Sequence, residues 1–414
     1  MGERTKRFYG WTVVGAAVII AMFGWGIGFY GPPIYLEAVR AARGWPLAVV
    51  SGAVTSHFLA GVVVVANLPR LHRRFGLPMV TFIGAALLAA GVCGWAFAAP
   101  PWQLYAATLL SGAGWVALGA AAINAIIAPW FVCKRPAALA TAYNGASLGG
   151  IVFSPLWAAL IAWIGFPLAS VAVGAVLVAC VLIIAATILI HSPRSKGVEA
   201  DGDEVGASLP GGDPTDACAR ITTPWRDRAF LTLALAMSLT LFAQIGLIAH
   251  LYSLLVPALG SQGAGWAAGL STASAILGRT LVGWLMPQGS ERRLIAAASL
   301  GVQMTGGVVL LAAAGTHVPL LLLGVILIGL GIGNATSLPP LVAQREFARE
   351  DCGRVIALMV ASAQAAYAFA PATFGILRAS LPEMTVFATA IIIQCAAIAA
   401  YLSGRGAYRR RAGP

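Results

Sequence analysis

The sequence predicts an all-α membrane protein of twelve transmembrane helices in two pseudo-symmetric six-helix halves, and three observations carry that prediction. Hydrophobic residues make up 59% of the 414 positions and charged residues 10%, against about 25% charged in a soluble domain, and the mean hydropathy is +0.86. Apolar runs recur along the chain, each near or above the roughly 20 residues a helix needs to cross a bilayer. One long polar interruption, 191–227, separates six such runs from six more. A β-barrel would instead show alternating segments of about ten residues.

The first run, 10–35, is not followed by a processing site and a soluble region, so it reads as a retained helix and not as a cleaved signal. The second, 46–68, ends in the basic turn PRLHRRFG at 69–76, and 77–99 follows. Runs 102–129 and 137–163 crowd Gly112, Gly114 and Gly119, then Gly145, Gly149 and Gly150. Such small residues let helix backbones approach closely. After 167–190 comes 191–227, which holds Gly, Pro and half of the acids and reads as a solvated linker.

The second half continues with 228–256, 263–286, 293–315, 318–341, 355–378 and 384–403. Run 8 ends in a basic turn as run 2 does, GWLMPQGSERR at 283–293, while FSP at 153–155 and FAP at 369–371 occupy runs 5 and 11. These echoes predict a duplication: a six-helix bundle at 1–190, a cytoplasmic linker at 191–227 and a second bundle at 228–414. Two homologous halves with a midplane site form the architecture of a secondary transporter.

The net charge of +12 would fit a nucleic-acid partner only if it were concentrated on one surface, and it is not. It follows the positive-inside rule: with the N-terminus cytoplasmic, the inner segments hold 22 of the 26 cations, and only Arg40, Arg43 and Arg378 fall outside. Both termini are therefore expected in the cytoplasm, with the protein a monomer in the cell's inner membrane. The six cysteines, Cys93, Cys133, Cys180, Cys218, Cys352 and Cys395, show no paired spacing. They read as small apolar packing residues. With no metal-ligand cluster, nucleophile-base constellation or phosphate loop, neither a cofactor nor an enzyme is expected.

Arg279 is the cation left over, inside the otherwise apolar or small stretch 264–286, and none of the fourteen acids falls within a run. A guanidinium at mid-span costs about 2.5–3.5 kcal/mol on insertion scales, so such residues face a cavity or a partner. A carboxylate-bearing substrate is the expected anion, and the guanidinium fork matches it bidentately. The bland alternatives are snorkelling to the interface and capping of backbone carbonyls.

His250, in QIGLIAHLY at 244–252, and His57 are the two histidines deep in the runs. With no intramembrane acid, a group titrating near neutrality is the natural proton carrier, which singles out His250 for proton coupling or substrate binding; packing is the alternative for both. Asn124, Asn144, Asn334 and Gln364 are amides in apolar runs, suited to interhelical hydrogen bonds or to orienting a ligand. Tyr30, Tyr143 and Tyr367 can donate hydroxyls to a carboxylate, and Gln364 and Tyr367 share a helical face.

The segment WFVCKRPAALATAYNGASLG at 130–149 resembles the span 4–5 signature of the monocarboxylate transporters, and YGWTVV at 9–14 is similar to that family's opening motif without its preceding acid. Gly278-Arg279 followed by Gly283 resembles the arginine segment shared with the oxalate/formate antiporters. With the twelve-run layout these resemblances point to the major facilitator superfamily and its fold. They imply proton-coupled transport of small monocarboxylates, lactate- or pyruvate-like, by alternating access, with Arg279 on the substrate carboxylate. They also imply that runs 1, 4, 7 and 10 line the cavity, with 2, 5, 8 and 11 beside them. The related possibilities are an oxalate/formate-like exchanger and an efflux carrier for another anion.

Four positions depart from the pattern. Ala275 stands where the eukaryotic transporters have an aspartate, Phe29 and Tyr30 where they have a lysine, and Arg73 replaces the acid of the superfamily's loop 2–3 motif. Finally, 358–377 lacks the antiporter's second cation, so one cation per cavity favours a monocarboxylate.

Overall fold

Glycine breaks, more than apolar length, decide where the helices of this chain begin and end. The computed structural model describes residues 8–198, 200, 223–286 and 290–405. Its helices are α1 Gly10–Gly28, α2 Pro32–Arg43, α3 Leu47–Phe75, α4 Leu77–Phe97, α5 Pro101–Ala117, α6 Ala120–Ile127, α7 Arg135–Ile184, α8 Arg228–Leu285, α9 Arg292–Ala312, α10 Val318–Glu346, α11 Arg349–Tyr367, α12 Ala370–Ser380 and α13 Thr385–Ser403. Among the described residues ten continuous helical stretches are long and apolar enough to cross a membrane. Two of them are double: α7 turns at Gly165 (φ 77°) and α8 at Gly260 (φ 67°). Only glycine enters that backbone region without a steric penalty, so the ten stretches hold the twelve expected runs.

Four runs differ from their expected bounds by more than a turn. Run 2 carries on through the basic stretch 69–76, expected as a turn, as α3 to Phe75. Run 1 continues past 35, through a break, as α2 to Arg43, which places Arg40 and Arg43 on a helix. Run 10 extends to Glu346, and run 11 starts earlier, at Arg349, is split into α11 and α12, and ends at Ser380. In each case helical hydrogen bonding carries on into polar sequence that hydropathy alone had assigned to loops. The expected linker 191–227 lies largely outside the described residues.

The chain divides into two compact units, Met1–Gly44 with Ser56–Gly211, and Trp45–Thr55 with Gly212–Pro414. In the first, α1 packs on α7 and α4 on α5, along seams where glycine is required. A methyl group at Gly145 would lie 2.1 Å from Val18 O, and one at Gly114 would lie 2.3 Å from Leu88 N. The core between them is aromatic: Tyr35 sits 4.9 Å from Trp157 and stacks on Phe166 at 5.2 Å.

The break between α1 and α2 has a local cause. Pro32 and Pro33 lack the N–H groups that the carbonyls of Gly28 and Phe29 would meet in a continued helix. His57 supplies the replacement: its Nε2 lies 2.9 Å from Gly28 O. A carbonyl only accepts, so Nε2 donates, and Nδ1 then accepts from the Ser111 hydroxyl at 2.8 Å. Tyr35 OH donates to Ile27 O at 3.1 Å in the same way. His57 is thus a buried structural donor.

In the second unit α10 packs on α8 and on α9, and α13 on both α8 and α9, around a core that includes Phe230, Leu233, Met359 and Tyr401. The seam between α8 and α10 is again small-residue. A methyl at Gly278 would lie 2.0 Å from Leu330 O, one at Gly333 2.1 Å from Ala275 O, and one at Gly329 2.4 Å from Ser271 O. Segment 45–55 belongs to this unit, with Thr55 Oγ1 accepting from Ala372 N at 3.0 Å.

Candidate functional site

In the first unit the candidates collect at helix breaks. Run 4 is interrupted after Ala117: Leu118 N and Gly119 N bond back three residues to Trp115 O and Val116 O, and α6 restarts at Ala120. Irregular backbone at membrane depth is tolerated only where protein buries it or where it lines a cavity. Asn124 on α6 and Tyr143 on α7 meet at this interruption, their side chains 2.6 Å apart. Both also reach Ala120 O, Asn124 Nδ2 at 3.0 Å and Tyr143 OH at 3.2 Å. Trp25 lies edge-on to the Tyr143 ring at 6.4 Å.

Tyr30 stands in the other break, half-buried, its ring 5.0 Å from Phe29. Asn144 is not part of the pair; it is exposed, roughly 100° further round the helix than Tyr143.

In the second unit Arg279 projects from α8 beside Gly278, and its Nε donates to Gly333 O at 3.0 Å. Capping of a backbone carbonyl, one of the two bland alternatives for this arginine, is therefore present in part: Nε of the guanidinium is taken by Gly333 O. That carbonyl is reachable because Gly333 has no side chain between α10 and α8. Ser337 Oγ donates to the same oxygen at 3.1 Å. Asn334, 3% exposed, turns its amide to Leu330 O at 3.3 Å and Gly278 O at 3.5 Å, so it ties the same seam together. Arg279 itself is exposed.

His250 lies elsewhere in the unit. It is fully buried, and Nε2 donates to Pro371 O at 3.1 Å, at the start of α12. Gln364 and Tyr367 are half-buried on the last turn of α11, with Tyr367 packed against the apolar core. The structure thus groups Arg279 with Asn334, and Asn124 with Tyr143, while His250 bonds to Pro371 O at the start of α12.

Two charged clusters escaped sequence reasoning. Arg293, read as the last cation of the basic turn after run 8, is 3% exposed and clasps Glu346 through Nε at 2.6 Å and Nη2 at 2.7 Å. It also donates to Ala229 O at 2.7 Å and Thr232 Oγ1 at 3.0 Å. Arg378, read as a cation at the outer end of run 11, is 8% exposed, with Nη2 2.6 Å from Glu383 and Nη1 on Ser253 Oγ. Ser253 in turn donates to His250 O at 2.9 Å. The available signal was an acid just beyond each run, Glu346 and Glu383.

The family model described as Major Facilitator Superfamily matches residues 14–371. Among solved structures, the nucleoside transporter NupG aligns with 96% of this chain and 99% of its own at a TM-score of 0.71 and 13% identity. A bacterial homolog of the human lysosomal transporter Spinster, inward-facing and occupied, aligns with 96% and 97% at 0.71 and 14% identity. The D-xylose-proton symporter aligns with 95% and 97% at 0.70 and 14% identity. Identities this low establish the fold and leave the cargo open, and no curated protein sequence is significantly similar to the chain. With most of its length matched by one family, the chain belongs to the Major Facilitator Superfamily and is a multi-pass membrane transporter of small solutes, not an enzyme.

Proposed function

We propose that this transporter carries small monocarboxylates, lactate- or pyruvate-like, by alternating access, with Arg279 binding the substrate carboxylate. The observation that carries the reading is the arginine's setting: a guanidinium within a span, on a seam of small residues, with Nε fixed to Gly333 O so that the plane of its fork is set. A planar fork held in one orientation suits bidentate recognition of a carboxylate. The resemblance of 130–149 and 278–283 to the monocarboxylate and oxalate/formate families adds to it. Asn124, Tyr143 and Asn334 are polar groups for orienting the ligand, with Tyr30, Asn144, Gln364 and Tyr367 as further contacts.

In this reading His250 couples transport to protons: it is a buried titratable ring on the first helix of the second half, bonded to the start of α12. The protein works as a monomer in the inner membrane, both termini cytoplasmic, with 191–227 as the cytoplasmic linker between the halves. The test is uptake of a panel of mono- and dicarboxylates into proteoliposomes, with and without an inward proton gradient, by wild type, Arg279→Ala and Arg279→Lys. Both variants are expected to lose carboxylate uptake, since lysine lacks the fork, with a stability loss no larger than the ~0.5–1.5 kcal/mol of the bond to Gly333 O. Wild-type affinity in Arg279→Ala removes the arginine from the site and the carboxylate with it.

A further inference from the structure

Gln303, on α9, is 1% exposed, and neither end of its amide has a hydrogen-bond partner among the described residues. Native interiors leave few polar groups unmet, so a fully buried amide of this kind points to a partner from outside the protein chain. A cavity of about 10 Å³ lies close by. Its lining includes Thr240 of α8, Ser299 of α9, Gly331, Asn334 and Ala335 of α10 and Tyr401 of α13. Ser299 stands one turn before Gln303 on the same face of α9, and Gly331 is pressed against both. A methyl at Gly331 would lie 2.7 Å from Gln303 Cβ and 3.0 Å from Ser299 O. The amide thus adjoins the cavity.

The groups around this space are short of hydrogens. Asn334 turns its amide nitrogen to Leu330 O and Gly278 O, so what remains of its side chain is the carbonyl oxygen, which only accepts. Thr240 Oγ1 gives its hydrogen to Ala236 O at 2.7 Å. In its bond with Tyr401 the phenol is therefore the donor, and the phenol oxygen keeps an accepting lone pair. An occupant has to bring donors, which a bare anion does not. Among the described residues the lining carries no charge, so nothing there calls for an ion. On the same measure one water needs roughly 10–15 Å³, and nothing larger fits.

We infer that the second unit carries an internal hydration site: one water bound in this cavity, donating to the Asn334 and Tyr401 side-chain oxygens and open to the Ser299 hydroxyl and the Gln303 amide. Polar cavities of this size hold water where two to four partners surround it, whereas apolar ones stay dry. The water completes the hydrogen bonding of Asn334 and so leaves its nitrogen on Gly278 O, in the seam that carries Arg279. The site does not depend on which solute the transporter carries.

Hydroxyl-radical footprinting of the purified full chain tests this, because radiolysis makes radicals from bound and bulk water alike while photolysis of peroxide makes them in bulk alone. Tyr401 is oxidisable and 1% exposed, so it reports on a water beside it. Wild type is expected to be modified at Tyr401 by radiolysis and not by peroxide photolysis, and Ala335→Val, whose added methyls fill the cavity, is expected to lose that label. Thermal unfolding of Gln303→Met, a swap of similar volume, gives a second reading. Removing a bonded amide destabilises, whereas removing an unpaired one is neutral or stabilising, so the melting temperature is expected to fall. Should Ala335→Val not fold, the contrast between the two radical sources in wild type and the Gln303→Met melt carry the decision. An unlabelled Tyr401, equal labelling in wild type and Ala335→Val, or a Gln303→Met melting temperature at or above that of wild type overturns the proposal.

Discussion

Replacing Gly278 by alanine tests whether the α8–α10 seam sets the position of Arg279. The added methyl would lie 2.0 Å from Leu330 O, whereas close C–H···O contacts begin near 3.3 Å. The helices must therefore part locally by about 1.3 Å. The neighbour is main chain within a helix, so no side-chain rotation relieves the contact. The Arg279 Nε bond to Gly333 O, 3.0 Å long, spans the same seam and would stretch beyond hydrogen-bonding range. Overpacking costs about 1–3 kcal/mol and the lost bond about 0.5–1.5 kcal/mol more. Gly283→Ala is the control on the same helix, since a methyl there meets nothing within 4 Å and raises helix propensity. The assay is thermal unfolding in detergent together with uptake in proteoliposomes. Gly278→Ala should lower the melting temperature and lose uptake, while Gly283→Ala should match or exceed wild type in stability and keep uptake. Indistinguishable behaviour of the two variants would refute the argument that the seam positions the arginine.

Other expectations follow from single contacts. Glu346→Ala leaves the Arg293 guanidinium buried beside an empty site and should cost about 3–5 kcal/mol, most of it restored in Arg293→Met/Glu346→Leu; a double variant no more stable than Glu346→Ala in thermal unfolding contradicts this. His250→Gln removes the titratable ring, and should retain substrate binding and anion exchange while losing accumulation driven by a pH gradient; equal accumulation by both proteins takes His250 out of the coupling. A second carboxylate would be buried without a cation at the Arg279 site, at a cost of several kcal/mol, so lactate and pyruvate should outcompete oxalate and malonate for binding, and the reverse order supports the exchanger reading.

Much of this architecture is legible in one dimension because a bilayer imposes length and hydropathy on every crossing segment. The same length criterion is blind to what happens inside a run. Runs 1, 4 and 11 each read as one helix, yet Pro32–Pro33, Leu118–Gly119 and the start of α12 interrupt them. The proline pair was readable as two missing donors; that His57 stands ready to replace one of them was not, because the partners are 29 residues apart. The buried Arg293–Glu346 clasp joins positions 53 residues apart, and each member, taken alone, looks like a loop charge.

The same limit shapes the reading of Arg279. Its charge, its run and the small residues around it are all sequence facts, and the i, i+4 spacing of Gly329 and Gly333 shows that they share a face. Which helix that face meets is a tertiary fact: Ser271, Ala275 and Gly278 of α8 lie opposite. Where the eukaryotic monocarboxylate transporters resembled by this sequence place an aspartate, this chain has Ala275, and its carbonyl lies against Gly333. A carboxylate one turn before Arg279 is thus replaced by close backbone packing, and a backbone carbonyl takes the arginine's Nε. A carbonyl that takes Nε directs the fork, and on the proposed reading the orientation it sets is the one a carboxylate's two oxygens would meet.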